Sequence, residues 1–191
     1  MADFPASWKQ TQINTCGPAC MMTALYELGV SDLSKRTELE IFKKVSHARV
    51  MGSTPSKMAA FAAPFVPNTR LLKRKPWQRP REWGLKAFHR LIHRYLFFVY
   101  AMGAFFHKIR GRGFGFYTRE EDALDAIGPF TKAICLVVDE EQILHFVLVH
   151  LVGEKLGVMD PATGENTAYG RDDLLAFLEK SAAGYWIVME P

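Results

Sequence analysis

Residues 10–20 read Gln-Thr-Gln-Ile-Asn-Thr-Cys-Gly-Pro-Ala-Cys, and this stretch carries the strongest structural signal in the chain. Asn14 and Thr15 are residue types that cap helices, and Pro18 suits a first helical turn, where its missing N–H needs no partner. The mostly apolar run that follows predicts a buried helix. The stretch therefore predicts that Cys16 lies where a loop becomes a helix.

A cysteine at such a junction is a candidate nucleophile. Amide groups without intrahelical partners and the positive end of the helix dipole stabilise a thiolate there, and the thiolate is the attacking species. The alternative for Cys16 is an inert structural cysteine, which is what most cysteines are. A cysteine nucleophile also needs an imidazole base and a group that orients this base, so both must be found elsewhere in the chain.

The last third of the chain has a different pattern, dominated by apolar runs typical of strands. Residues 133–138 and 145–152 each predict a strand, Gly153 begins a turn, and residues 156–160 predict the returning strand of a hairpin. Helices first and antiparallel strands later predict an α+β fold in a single domain, residues 1–191.

This hairpin supplies candidates for the imidazole base and for the group that orients it. His145 begins one strand and Asp160 ends the next, so we expect them opposite each other, within a residue or two of register. Asp160 can then accept a hydrogen bond from one imidazole nitrogen while the other faces Cys16. The alternatives are a histidine bonded to backbone on a strand face and an aspartate that caps the turn before the following proline.

Acyl transfer also requires donors for an oxyanion. The backbone N–H of Cys16 is one candidate, and a side-chain amide just upstream is a second. Gln10 and Gln12 both qualify chemically, and surface solvation is the alternative for either of them.

Two segments of the chain resemble motifs of a known family. The segment from Gln10 to Cys20 is similar to the Q-x5-C-G-P-A/T-C segment of C39-like cysteine peptidases, which belong to the papain-like superfamily. Residues 145–149, His-Phe-Val-Leu-Val, and residues 158–164, Val-Met-Asp-Pro-Ala-Thr-Gly, resemble the second motif of that family, H-F-V-V followed by D-P-x-x-G. The matched segments are residues 8–29 and 133–164.

The resemblance implies a papain-like fold, with the cysteine on an N-terminal helical part and the histidine and aspartate on a C-terminal antiparallel sheet. It implies Cys16 as nucleophile, His145 as base, Asp160 as the orienting group and Gln10 as oxyanion donor. Gln10 is preferred over Gln12 because the family places its glutamine six residues before the cysteine.

The activity that the resemblance implies is hydrolysis of a peptide or amide bond through a thioester acyl-enzyme, with no metal or organic cofactor. The substrate is then a peptide or a protein, and the biological setting is a protease or a toxin-like bacterial effector. Two alternatives stay open: a papain-like module that binds without catalysis, and an acyltransferase or transglutaminase-like enzyme.

The middle of the chain is strongly basic. Between Arg70 and Gly113 there are 12 Lys and Arg residues and one acid, Glu82, in a chain of formal net charge +4. This segment is able to attract an acidic protein partner or an anionic membrane surface, and the alternative is a solvated surface. Residues 70–116 do not map onto the family core and predict a basic, aromatic insertion.

Within this segment, the prolines predict a loop over residues 70–81, and residues 82–106 predict a long helix that bends near Gly103. Glycines at positions 111, 113 and 115 predict a flexible joint. The helix is suited to a buried or subunit-facing position, or to the surface of an anionic membrane. Aromatic residues among the basic ones suit single-stranded nucleic acid, but no matching fold signature accompanies them, so nucleic acid is not the expected partner.

Composition and cysteine chemistry exclude other classes. With 49% hydrophobic and 23% charged residues the chain is not globally disordered, and three cysteines do not make a disulfide scaffold. A zinc site from Cys16, Cys20, Cys135 and a histidine has an atypical C-x3-C spacing, and His89 and His93 lack the glutamate of a metalloprotease motif.

The first residues do not resemble a secretory signal, so we expect synthesis in the cytoplasm, with export by a dedicated secretion system as an option.

Overall fold

A seven-stranded sheet forms the centre of the fold, and helices cover both of its faces. The computed structural model of the chain describes residues 6–48, 52–75, 87–138 and 143–191. The helices in these residues are α1 (Cys16–Glu27), α2 (Lys35–Val45), α3 (Pro55–Ala62), α4 (Ala87–Ile109), α5 (Glu120–Leu124) and α6 (Arg171–Ser181). The strands are β1 (Ser46–Ala48), β2 (Gly52–Ser53), β3 (Arg70–Arg74), β4 (Phe114–Tyr117), β5 (Lys132–Val138), β6 (Leu144–Val152), β7 (Lys155–Asp160), β8 (Glu165–Tyr169) and β9 (Ala182–Met189).

The continuous apolar run of β5 is explained by burial on both sides. Ile134 and Leu136 pack in the core beneath α1 to α4, whereas Ala133, Cys135 and Val137 pack in a second core beneath α5 and α6. A strand with two buried faces has no position for a polar side chain, so its sequence does not alternate.

The sheet has the order β4-β3-β9-β5-β6-β7-β8, in which β3 and β4 pair in parallel and the other neighbours pair in antiparallel. The predicted α+β class is confirmed, as is the hairpin of β6 and β7, which turns at Gly153 with a φ of 60°. The last strand, β9, lies in the interior of the sheet between β3 and β5. β8, a polar edge strand, was not predicted.

The prediction of a loop over residues 70–81 is wrong for its first part. Residues 70–74 form β3, in which Leu71 and Leu72 are 0% and 7% exposed, and residues 76–81 lie outside the described residues. The neighbouring glycines are not a joint either: a Cβ on Gly113 would lie 2.4 Å from the Thr69 carbonyl oxygen, and Gly115 lies within β4. Gly113 and Gly115 are therefore closely packed, the first against backbone and the second against the Leu72 side chain, whereas Gly111, with a φ of 66°, has no close neighbour among the described residues.

The predicted long helix is present as α4, but it runs through Gly103 without interruption to Ile109. A Cβ at Gly103 would lie 2.3 Å from the Ser56 hydroxyl, so the glycine lets α4 approach α3 closely. Residues 82–86 lie outside the described residues. In the part of the chain that is described, none of the helices combines the length and apolar character needed to cross a membrane. That residues 70–116 are an insertion into a family core stays a prediction.

Candidate active site

Cys16 is the first residue of α1, and Thr15 occupies the N-cap position. The Thr15 hydroxyl accepts a hydrogen bond from the Gln12 N–H at 3.2 Å and donates one to the Gln12 carbonyl at 2.8 Å. Within the described residues it makes no side-chain cap to the helix. The threonine therefore fixes the loop, and the first helical amides keep their capacity to stabilise a negative charge.

Gly17 allows this helix start to pack tightly. A Cβ at Gly17 would lie 2.9 Å from the Met58 sulfur and 3.0 Å from the Ser53 side chain. Tyr100 of α4 donates a hydrogen bond of 3.3 Å to the Ser53 carbonyl. The start of α1 thus packs against β2 and α3, and α4 is bonded to β2.

His145 and Asp160 are in direct contact. The distance between Nε2 of His145 and Oδ1 of Asp160 is 2.8 Å, and the same oxygen accepts a hydrogen bond of 2.8 Å from the Ala162 N–H. The β6–β7 ladder pairs Leu148 with Met159, which places Asp160 opposite Val147, two residues from His145. A separation of two residues keeps both side chains on one face of the hairpin.

The electrostatics of this pair favour a charged imidazole. Burial lowers the pKa of His145, but hydrogen bonds to Asp160 and Cys16, together with the charges of these two groups, outweigh burial and raise the pKa to about 10. The hydrogen bond from His145 holds the pKa of Asp160 below its usual value. With Nε2 on Asp160, Nδ1 is the nitrogen that remains for Cys16.

The segment that carries Gln10 lies against the loop that follows Asp160. The Gln10 N–H donates a hydrogen bond of 2.8 Å to the Pro161 carbonyl. Gly164, with a φ of 77°, lies so close to Lys9 that a Cβ would be 2.8 Å from the Lys9 Cβ. The two family-like motifs are therefore joined by main-chain contacts.

The Gln10 amide itself is only partly bonded. Its Nε2 donates a weak hydrogen bond of 3.4 Å to the Ile13 carbonyl, and its buried Oε1 has no partner among the described residues. Gln12 is exposed, and its main chain is bonded to Thr15. Of the two candidate glutamines, Gln10 is the one fixed beside the Asp160 loop.

Glu38, on α2, is a residue of this region that sequence reasoning missed. It is 0% exposed, and its two carboxylate oxygens accept hydrogen bonds from the Trp8 indole N–H at 2.8 Å and the Thr11 N–H at 2.9 Å. It therefore fixes the segment on both sides of Gln10. The available signal was its spacing, because Glu38 lies on the same buried face of α2 as Ile41 and Val45.

The other cysteines belong to the core. Cys20 and Cys135 are both 0% exposed, and burial raises the pKa of each thiol. Cys20 packs on the α1 side of the sheet and Cys135 on the α6 side, so the two sulfurs do not face a common site. Among the described residues there is no group of three potential metal ligands.

The sequence matches no protein-family model and no curated protein. The fold does match a solved structure, the peptidase domain of Streptococcus ComA, described as a bifunctional ABC transporter involved in quorum sensing. The match has a TM-score of 0.54 at 14% sequence identity and covers 98% of this chain and 100% of that domain. The chain therefore has a fold similar to that peptidase domain over almost its whole length, in agreement with the resemblance to C39-like peptidases.

Proposed function

We propose that the protein is a cysteine hydrolase that cleaves a peptide or amide bond with Cys16, His145 and Asp160. The observation that carries the proposal is the 2.8 Å contact between the His145 imidazole and Asp160, on an imidazole whose pKa Cys16 also helps to raise. The fold similarity to a peptidase domain supports it independently. An imidazole between a thiol and a carboxylate is the arrangement that nucleophilic acyl transfer requires.

In the proposed reaction, the proton shared by Cys16 and His145 lies on Nδ1 of the imidazole, which the raised pKa of His145 favours, and the Cys16 sulfur attacks the substrate carbonyl carbon. The C–N bond of the tetrahedral intermediate breaks as His145 returns the proton to the leaving amine, which leaves a thioester on Cys16. Water then attacks the thioester as His145 takes its proton, and the C–S bond breaks, which releases the carboxylic acid and restores the charged imidazole beside the Cys16 sulfur. Asp160 keeps the imidazole oriented and stabilises its charged form.

The oxyanion in this mechanism is stabilised by the Cys16 N–H and the Gln10 side-chain amide. The pairing of Gln10 with the Pro161 carbonyl supports this role, because it ties the glutamine to the loop that begins at Asp160. A donor acts best when it is fixed before the charge develops, so the contacts around Gln10 matter as much as its chemistry.

The test uses a library of proteome-derived peptides with mass-spectrometric identification of new termini. Wild-type protein is expected to cleave a subset of the peptides, and Cys16→Ala is expected to remove cleavage without loss of the folded state by circular dichroism. Gln10→Ala is expected to lower the rate about a hundredfold, and the exposed Gln12→Ala serves as the matched control.

Three outcomes contradict the proposal. Cleavage that persists in Cys16→Ala shows that Cys16 is not the nucleophile. Absence of cleavage, with iodoacetamide modifying Cys16 no faster than Cys20 and Cys135, favours a module that binds without catalysis. Transfer of the acyl group to an added amine in place of hydrolysis identifies an acyltransferase.

A further inference from the structure

Helix α4 has a buried face and an exposed apolar face. Leu96, Phe97, Tyr100 and Ala104 are at most 8% exposed and pack in the core. At about 100° per residue, the large exposed side chains on the other side fall within an arc of about 100°, so they form one continuous surface. We call this surface the α4 stripe; its members are between 38% and 62% exposed and are Tyr95, Phe98, Met102, Phe105, Phe106 and Ile109.

Cationic residues flank the α4 stripe. Helical geometry places Arg94 and Lys108 along one edge and Arg110 along the other. Lys57 of α3 and Arg112 after the helix extend the second edge, and all of these residues are exposed. This combination of a wide aromatic and aliphatic face with basic borders is the pattern of helices that lie in a membrane interface.

A cavity of about 370 Å³ opens along the second edge, between α3 and α4. Phe98, Met102 and Phe106 of the α4 stripe contribute apolar lining, and Lys57, Arg110 and Arg112 contribute charge. The lining includes no acidic residue among those described. The cavity thus combines an apolar wall with several cations, which suits an amphiphile with an anionic head.

Positive charge also dominates the sequence around α4, although some of these cations, such as Arg70 and Arg74, pair with acids elsewhere in the fold. From Ile41 to Arg119 the chain contains 17 Lys and Arg residues, and Glu82 is the one acid. An anionic lipid surface offers negative groups above an apolar layer, which matches cations beside an exposed apolar face. The exposed cations beside the α4 stripe, including Lys57, Arg110 and Arg112, therefore complement an anionic lipid surface.

We propose that the α4 stripe docks on an anionic membrane surface. The phenyl rings of the stripe enter the boundary between headgroups and acyl chains, and Lys57, Arg110 and Arg112 face lipid phosphates. The opposite face of α4 stays in the protein core, so the helix lies along the surface. Docking does not require the Cys16 chemistry, because none of the stripe residues belongs to the proposed catalytic group.

The test is co-sedimentation of the full chain with vesicles of phosphatidylcholine, with or without phosphatidylglycerol. Wild-type protein is expected to bind the anionic vesicles about tenfold more strongly, and added NaCl is expected to weaken that binding. The double variant Phe98→Ser/Phe105→Ser is expected to bind about tenfold more weakly. Phe130→Ser is its control, because Phe130 is 75% exposed and lies outside the stripe.

Charge reversal tests the cationic residues that flank the α4 stripe. Arg110→Glu/Arg112→Glu is expected to lower binding to the anionic vesicles at least tenfold. Arg36→Glu is the control, since the Arg36 side chain is 88% exposed on α2, away from α4. Cys16→Ala is expected to bind as strongly as wild type, which separates docking from hydrolysis.

The proposal is overturned by wild-type protein that fails to bind anionic vesicles at low salt, or by stripe variants that bind as well as wild type. It is also overturned if sedimentation shows a dimer that Phe98→Ser/Phe105→Ser abolishes, because a second copy then covers the stripe. Capture of an acidic protein through the stripe, without vesicle binding, overturns it as well.

Discussion

Opposing effects act on the pKa of His145, and its neighbours Asp160 and Cys16 decide the direction of the shift. Burial disfavours the imidazolium, whereas Asp160 and Cys16 favour it strongly enough to raise its pKa to about 10. The imidazole is therefore charged at neutral pH, which suits its proposed role as the proton donor to a leaving amine. This pKa lies above the unfolded value of about 6.5. The contribution of charged His145 to the free energy of unfolding is therefore complete below about pH 6.5 and is lost as pH rises through about 10.

Titration of His145 by NMR measures this balance directly. Wild-type protein is expected to titrate near pH 10. Cys16→Ala and Asp160→Asn each remove interactions that raise the pKa of His145, so each variant is expected to lower it. A wild-type titration near pH 6.5 that neither variant shifts would contradict the contacts described for this residue.

Glu38 illustrates how a buried carboxylate positions a catalytic candidate that it does not touch. Glu38→Ala leaves the Trp8 and Thr11 donors without their acceptor, so the segment around Gln10 is released. We expect kcat/KM for peptide cleavage to fall about tenfold or more, with faster hydrogen exchange at Thr11. The control is Glu40→Ala on the same helix, where the side chain is 55% exposed and paired with Arg36. Equal activity in both variants would rule out this positioning role.

For single residues, the sequence predicts which side chains have suitable chemistry better than it predicts where those side chains lie. The contact between His145 and Asp160 follows from strand ends and a hairpin turn, which are local features. The choice of Gln10 over Gln12 came from the family resemblance, since the two residues are chemically identical. Glu38 was missed because its partners, Trp8 and Thr11, approach it only after α2 has packed against the N-terminal segment.

At the level of elements, Glu120 connects three parts of the fold. Its buried carboxylate at the start of α5 accepts hydrogen bonds from the Trp186 indole of β9 at 2.9 Å and the Tyr117 hydroxyl of β4 at 3.1 Å. Arg74 of β3 lies 3.3 Å away. Burial raises the pKa of Glu120, so the carboxylate depends on these three partners for its stability in the interior.

Removal of the Glu120 carboxylate is expected to lower the free energy of unfolding. Glu120→Ala leaves two buried donors and a partly buried guanidinium without their acceptor, so the free energy of unfolding should fall by about 3 kcal/mol. Glu121→Ala, next in sequence and 42% exposed at its side chain, should change it by less than about 0.5 kcal/mol. Urea denaturation compares the two variants, and equal effects would show that the Glu120 contacts do not stabilise the fold.

The same elements show where the sequence is least informative. Residues 70–74 carry three cations and precede Pro76, which favours a loop, yet Leu71 and Leu72 are both buried in β3. The strand exists because β9 and β4 supply its partners from distant parts of the chain. By contrast, α1, β5 and the β6–β7 hairpin carry their signals within a few residues and were predicted correctly.

For the molecule as a whole, His150 links stability to pH. It is 1% exposed, and within the described residues neither ring nitrogen has a hydrogen-bond partner. Burial, with a further contribution from the charge of Lys132 opposite it in the sheet, lowers its pKa to about 4. Lys132 is itself paired with Glu27 at 3.5 Å. Neutral His150 therefore stabilises the fold above about pH 6.5, and this contribution is lost as pH falls toward 4.

Urea denaturation at pH 7 and pH 5 tests this. The contribution of His150 to the free energy of unfolding should decrease by about 2 kcal/mol between these values, because the unfolded chain takes up the proton and the folded chain does not. His150→Asn should flatten that dependence, whatever its effect on stability at pH 7. His47→Asn, at an exposed position, should leave it unchanged. An unaltered pH dependence in His150→Asn would show that this residue is not its source.

The interior position of β9 has a consequence for biosynthesis. A nascent chain that has emerged only as far as α6 already contains Cys16, His145 and Asp160, but its β3 and β5 still lack the strand that joins them. The β4–β3 pair cannot join β5 to β8 until β9 has been synthesised, so the seven-stranded sheet is completed late.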